Sequence, residues 1–178
     1  MVHYRRNLLP GGTYFFTVTL ADRQSHALTE NIEHLRASFR RVMIAQPCDI
    51  VAIVVLPEHL HTIWTLPPDD ADYAGRWRAI KPGFTRNLIR AGANLACNAK
   101  GESDLWQRRF WEHTIRDNND LARHVDYIHY NPVKHGLVSR VAEWPHSSFH
   151  RYVRKSMLPE DWAGATSDTA NEKYGEPI

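Results

Sequence analysis

Residues 49–66 constrain the fold more than any other stretch. The run DIVAIVVL at 49–56 is almost continuously apolar, as expected of a strand buried on both faces. Pro57 and Glu58 leave room only for a tight connection, and HLHTIWTL at 59–66 reads as the next strand. The two together form a hairpin. Residues 13–20 (TYFFTVTL) follow a Gly-Gly turn and are rich in β-branched and aromatic side chains, which predicts another strand. Thr29 is placed to cap a helix running to about Ala45. In it Ile32, Leu35, Phe39, Val42 and Met43 recur at helical spacing, and Pro47 stops it.

The second half continues the alternation. Residues 73–91 predict a helix in which Pro82 forces a break or a new start. Residues 92–104 are loop-like, and 109–115 (RFWEHTI) predict a short strand. Asp117 caps a third helix over 118–130 that ends near Pro132 and Gly136. The order is β-α-β-β-α-β-α. Its first six elements match the split βαβ pattern of a ferredoxin-like sheet, so the expected class is α+β. Such a sheet buries one face under two helices and leaves the other available for a site.

A chain of 178 residues suits one domain, expected over 1–155, followed by an acidic tail at 156–178. Residues 159–178 carry five acids (Glu160, Asp161, Asp168, Glu172, Glu176) against one base, Lys173, and few large apolar residues. A loosely docked tail is expected there. The formal net charge of +2 therefore hides a strongly basic body. Arg76, Arg78, Lys81, Arg86 and Arg90 fall in one acid-free stretch. That stretch is either a solvated helix face or a surface for phosphate-bearing partners. Arg5 and Arg6 near the N-terminus, and Arg108 and Arg109 before the last strand, are further candidates to contact a nucleic-acid backbone. No apolar run approaches the roughly 20 residues of a membrane helix. The N-terminus lacks a signal-peptide pattern, and Cys48 and Cys97 make no disulfide framework, so the expected compartment is the cytoplasm.

His59 and His61 are two apart on a predicted strand, so both imidazoles point to one face and Leu60 to the other. The pair either chelates one cation or is simply two polar residues on the open face. Tyr127 and Asn131 are four apart on the third helix and share a face. They are either a nucleophile beside a metal ligand or an ordinary packing residue and a helix-end residue. Taken together, the four say more. A phenol has an ordinary pKa of about 10 and needs an activated electrophile or a stabilised phenolate. A cation on a phosphodiester oxygen supplies the first. Tyr130 is a rival nucleophile, but it is adjacent to Asn131 and faces elsewhere. His129 and His135 read as surface or capping residues, and His124 is one turn before Tyr127. Glu112 or His113 could border the site. Trp64, Trp106, Trp111 and Phe110 read mostly as core, with one or two free to stack on unpaired bases.

The chain resembles the REP-associated tyrosine transposases, a branch of the single-tyrosine HUH transposases. The resemblance rests on VVLPEHLHTIWTLP (54–67), FWEHTIRD (110–117) and, most specifically, HVDYIHYNPVKHGLV (124–138). His59-Leu60-His61 matches the family's histidine–hydrophobic–histidine motif, Tyr127 its nucleophile position and Asn131 its third metal-ligand position. The resemblance implies an HUH nuclease architecture: a ferredoxin-like antiparallel sheet (βαββαβ) with a C-terminal tyrosine-bearing helix. It also implies dependence on Mg2+ or Mn2+ and a 5′-phosphotyrosine intermediate. The implied substrate is single-stranded DNA folded as a repetitive extragenic palindrome hairpin, acted on by a monomer or a dimer. The late stretch WPHSSFHRY departs from the family's WPWSSY-like pattern at His146 and Phe149. A hairpin-binding protein without cleavage, and a plain metal-dependent hydrolase, are the alternatives.

Overall fold

The computed structural model describes residues 7–95 and 103–163. Arg5, Arg6, Cys97 and most of the acidic tail lie outside them. The elements are β1 (Thr13–Thr19), α1 (Ala27–Glu30), α2 (Ile32–Ala45), β2 (Asp49–Val55), β3 (His59–Thr65), α3 (Tyr73–Arg90), β4 (Trp111–Thr114), α4 (Asn118–Lys134) and α5 (Phe149–Arg154). A 3-10 turn, Val141–Glu143, precedes α5. The sheet order is β2-β3-β1-β4 and the paired strands run antiparallel. This is the expected ferredoxin-like topology. Among the described residues no helix is long and apolar enough to cross a membrane.

Strand alternation divides the interior in two. Tyr14, Phe16 and Val18 of β1 join Leu60 and Trp64 of β3 under α2 and α3, where Trp64 stacks on Trp77 at 4.4 Å. Phe15, Ala52, Val54 and Ile63 face the other way, against Val125, Tyr127 and Ile128 of α4 and Tyr152 of α5. The second face is therefore covered, whereas the first six elements alone lead to the expectation that it is open. The last two helices cover it with their own apolar sides. Burying both faces is what lets β2 be apolar along its length.

Three helices differ from the sequence reading. Thr29 does not cap; it lies inside α1, its hydroxyl donates to His26 O, and the chain kinks at Asn31 before α2. Pro82 does not break α3, because Trp77, Ile80, Phe84 and Leu88 stay buried on both sides of it. Pro132 does not end α4, which continues to Lys134. An internal proline costs about 3 kcal/mol, and at Pro82 the burial of Phe84 and Leu88 beyond it offsets that. α4 stops before Gly136, the other end signal in the sequence, whose φ of 68° lets its N–H reach Val133 O while Leu137 N–H reaches Pro132 O.

The WPHSS stretch closes a sheet edge. Val55 N–H donates to His146 O, Ser148 N–H to Ile53 O, and Ile53 N–H to Ser148 Oγ. The indole of Trp144 donates to Val55 O at 3.0 Å. The outer edge of β2 is thereby paired rather than left to aggregate.

Candidate active site

β3 delivers His59 and His61 to the face covered by α4, as its alternation requires. Both are buried, at 1% and 0% exposed, because α4 packs over them. Each imidazole is held by one nitrogen. His59 Nδ1 lies 2.8 Å from Glu58 Oε1, and His61 Nδ1 lies 2.9 Å from Thr17 Oγ1, directly across the β1–β3 ladder. The two rings meet edge to face with centroids 4.9 Å apart. His59 Nε2 is buried and has no hydrogen-bond partner among the described residues. A histidine anchored through one nitrogen by a carboxylate, with the other nitrogen buried and unsatisfied, could hold a metal ion. Burial raises the Glu58 carboxyl, but its hydrogen bond to His59 and the charges of His59 and Arg23 outweigh that and hold it below its usual value. Glu58 therefore stays anionic behind the histidine.

α4 supplies the other half. Asp117 caps it by accepting Asp120 N–H at 2.8 Å. Tyr127 is 1% exposed; its ring lies 5.2 Å from His61 and 6.0 Å from Phe15. Asn131, one turn on, is fully buried on the same helix. Lys134, two turns on, donates from Nζ to the Tyr127 oxygen at 3.2 Å and lies 4.5 Å from the ring centroid. An ammonium that close stabilises negative charge on the phenolic oxygen. His135 caps the helix and meets His59 at 5.2 Å. The structure thus gathers His59, His61 and Tyr127 as ring neighbours, with Asn131 on the tyrosine's helix face. The donor set of two imidazoles and a carboxamide fits a divalent cation with open positions.

Four participants escape sequence reasoning. Lys134 is at i+7 from Tyr127, a spacing that shares a face, but a helix ending near Pro132 leaves it outside. Glu58 is the turn residue before His59. Thr17 is the cross-strand partner of His61, visible only once the register is known. His135 reads as a cap and is one, but it also borders His59.

The other expectations divide. Glu112 turns to the α3 face, where Tyr73 donates to it at 3.3 Å, so it does not border the site. His113 faces α4 and stacks on His124 at 4.8 Å. Tyr130 faces away from the histidines and lines a cavity with Val133, Arg140 and Trp162. His129 is a core residue, not a surface one. It shares a hydrogen bond with Ser148 Oγ, and burial, reinforced by the nearby charges of Arg151 and His150, pushes it down to about 3.

Arg76 must be corrected as a DNA contact. It is 1% exposed, and its guanidinium donates to Gln46 O, Pro47 O, Asp72 O and Asp70 Oδ2. These bonds tie α3 to the turn after α2. Lys81 is also drawn inward, donating to Gln107 O at 2.6 Å, with burial lowering it to about 8. Arg78, Arg86, Arg108 and Arg109 are exposed.

Comparison with known proteins places these features. No protein-family model matches the chain. The REP-associated tyrosine transposase of Escherichia coli K12 is 49% identical over 168 residues, covering 94% of this chain and 94% of the relative. A Haemophilus influenzae relative described as the same kind of transposase is 48% identical over 166 residues, 92% of this chain and 94% of its own length. Among solved structures, a REP-associated tyrosine transposase bound to a REP hairpin superposes with a TM-score of 0.86 at 47% identity. That match covers 100% of this chain and 99% of the other.

Proposed function

The chain belongs to the REP-associated tyrosine transposases, and on that premise we propose that it nicks and rejoins hairpin-forming single-stranded DNA with Tyr127 as nucleophile. The observation that carries this reading is the closeness of Tyr127 to both the His61 imidazole and the Lys134 ammonium. A structural tyrosine in an apolar interface needs neither neighbour.

His59, His61 and Asn131 would hold a divalent cation, Mg2+ or Mn2+, which when bound polarises the scissile phosphodiester as a Lewis acid. The chain's own groups do the rest. Glu58 and Thr17 each anchor one imidazole through its Nδ1, and His59 presents its Nε2. Lys134 stabilises the phenolate as the phenolic proton leaves to water. The Tyr127 oxygen then attacks phosphorus. The new oxygen–phosphorus bond leaves a 5′-phosphotyrosine, and the bond to the 3′ oxygen breaks, that oxygen taking a proton to become a free hydroxyl. Attack by a 3′ hydroxyl on the phosphotyrosine reverses the step, restoring the phosphodiester and Tyr127. Because the link conserves the bond energy, strand transfer needs no external source. Arg78, Arg86, Arg108 and Arg109 supply exposed positive charge for the DNA backbone. The hairpin substrate is supported by the relative whose structure contains one.

A binding-only reading draws on one observation, the near-complete burial of Tyr127. A covalent-adduct assay separates the two. The chain is incubated with a palindromic single-stranded hairpin and Mg2+ or Mn2+, then denatured. A DNA-linked protein band that is lost in Tyr127→Phe is the expected result. Tight hairpin binding with no band in the native chain would refute cleavage, and a band that persists in Tyr127→Phe would refute the nucleophile.

A further inference from the structure

A second cluster of ligand-type side chains lies at the start of the tyrosine helix. His113 of β4 and Asp120 and His124 of α4 each offer a ligand atom, all within 4.8 Å of one another. Asp120 lies between the two imidazoles, with Oδ2 2.9 Å from His113 Nε2 and Oδ1 3.2 Å from His124 Nδ1. The imidazole rings are nearly parallel, 4.8 Å apart at 11°. Asp120 is pre-positioned, since it also accepts Arg116 N–H at 3.0 Å and its own N–H is held by Asp117. Burial raises its carboxyl, but the hydrogen bonds from His113 and Arg116 and the charges of both histidines outweigh that, so it stays ionised.

We propose that His113, Asp120 and His124 form a transition-metal site, distinct from the His59–His61 pair, that staples the first turn of α4 to β4. Two imidazoles and one carboxylate suit Zn2+, Co2+ or Ni2+. The ion takes the place of the proton between Asp120 Oδ2 and His113 Nε2, and His124 Nδ1 gives up its 2.8 Å hydrogen bond to the Asp120 carbonyl oxygen to ligate it. Ligand atoms already this close need only small side-chain rotations to reach coordination distances of about 2.0–2.2 Å. Arg123, whose guanidinium is 3.7 Å from Asp120 Oδ1, opposes the ion with its charge, but its side chain is 58% exposed and free to turn to solvent. His113, 19% exposed, opens the cluster toward water for the remaining ligands.

The site has a route to the reactive end of the helix. His124 packs on Phe15 at 4.9 Å, and Phe15 packs on both His61 at 5.4 Å and Tyr127 at 6.0 Å. An ion at the cluster fixes the ring that wedges Phe15 in place.

Cobalt titration tests the proposal. Chelator-stripped chain is titrated with Co2+, followed by visible absorption, in the native form and in the His59→Ala/His61→Ala double variant. The double variant is expected to keep one Co2+ equivalent per chain, and adding His113→Asn is expected to weaken that binding at least tenfold. Circular dichroism of each variant reports whether it folds. If the triple variant does not fold, imidazole NMR of the double variant on adding Zn2+ decides, because shifts at both His113 and His124 are required. A folded double variant that binds no Co2+, or Zn2+ that leaves those two rings unshifted, overturns the site.

Discussion

Replacing Lys134 with methionine tests the chemistry at its most specific point. Methionine keeps most of the stem's packing and removes the charge. The Nζ–Oη separation of 3.2 Å corresponds to about 5 kcal/mol between unit charges at an effective dielectric of about 20. Lys134 is only partly buried, so water screens part of this. A hydrogen bond to a charged group contributes about 1.5–3 kcal/mol net, and that range applies here. At 1.36 kcal/mol per tenfold in rate, the cleavage step slows by about 10- to 100-fold. The assay is single-turnover formation of the covalent protein–DNA adduct with saturating hairpin and divalent cation. Hairpin affinity should change little, because the contact is to Tyr127 and not to DNA. Without the ammonium the phenolate forms less readily, so the deficit is largest at neutral pH and shrinks as pH approaches the ordinary phenol value of about 10. Lys134→Arg retains a cation and recovers part of the rate. Native adduct formation by Lys134→Met at pH 7 would refute the assigned role of Lys134.

Further outcomes follow from the same geometry. Glu58→Gln removes the anionic support behind His59 and should weaken Mn2+ affinity about 10- to 100-fold by calorimetry, while Tm changes little. Arg76→Ala leaves Asp70 and three backbone carbonyls without their buried donor and should cost about 3–5 kcal/mol in urea unfolding, with hairpin affinity of the folded chain unchanged. Arg78→Ala and Arg86→Ala should do the reverse, preserving stability while each lowers the salt slope of DNA binding by about 1. His129 is held down to about 3 against an ordinary value of 6.5, so the unfolded chain binds its proton first. Its stability contribution is present above pH 6.5 and is lost as pH falls from there toward 3. At pH 5 the loss is about 2 kcal/mol, and urea midpoints should show a smaller acid-side decline in His129→Gln than in the native chain.

The elements that carry the site were legible because their signals are local. Strand alternation dictates that His59 and His61 share a face whatever lies above them, and helical geometry dictates the same for Tyr127 and Asn131. The element order also specified the ferredoxin-like sheet, since short connections between alternating elements leave few topologies. Helix ends depart from the local rules where a tertiary force overrides them. Pro82 carries a real penalty, but no local pattern states how much apolar surface the continued helix buries.

Partnerships between elements belong to the tertiary structure. Thr17 reaches His61 because β1 pairs with β3 in one register, and a shift of one residue would turn Thr17 to the opposite face. Lys134 reaches Tyr127 because α4 runs through Pro132. Arg76 and Arg78 are alike in sequence, two residues apart in one basic run, yet one is a buried brace and the other an exposed cation. Helix rotation against the sheet separates them, and that rotation is settled by the whole core. By itself the sequence determined which side chains share a face of their own strand or helix. What each face meets was decided by the packing of one element on another.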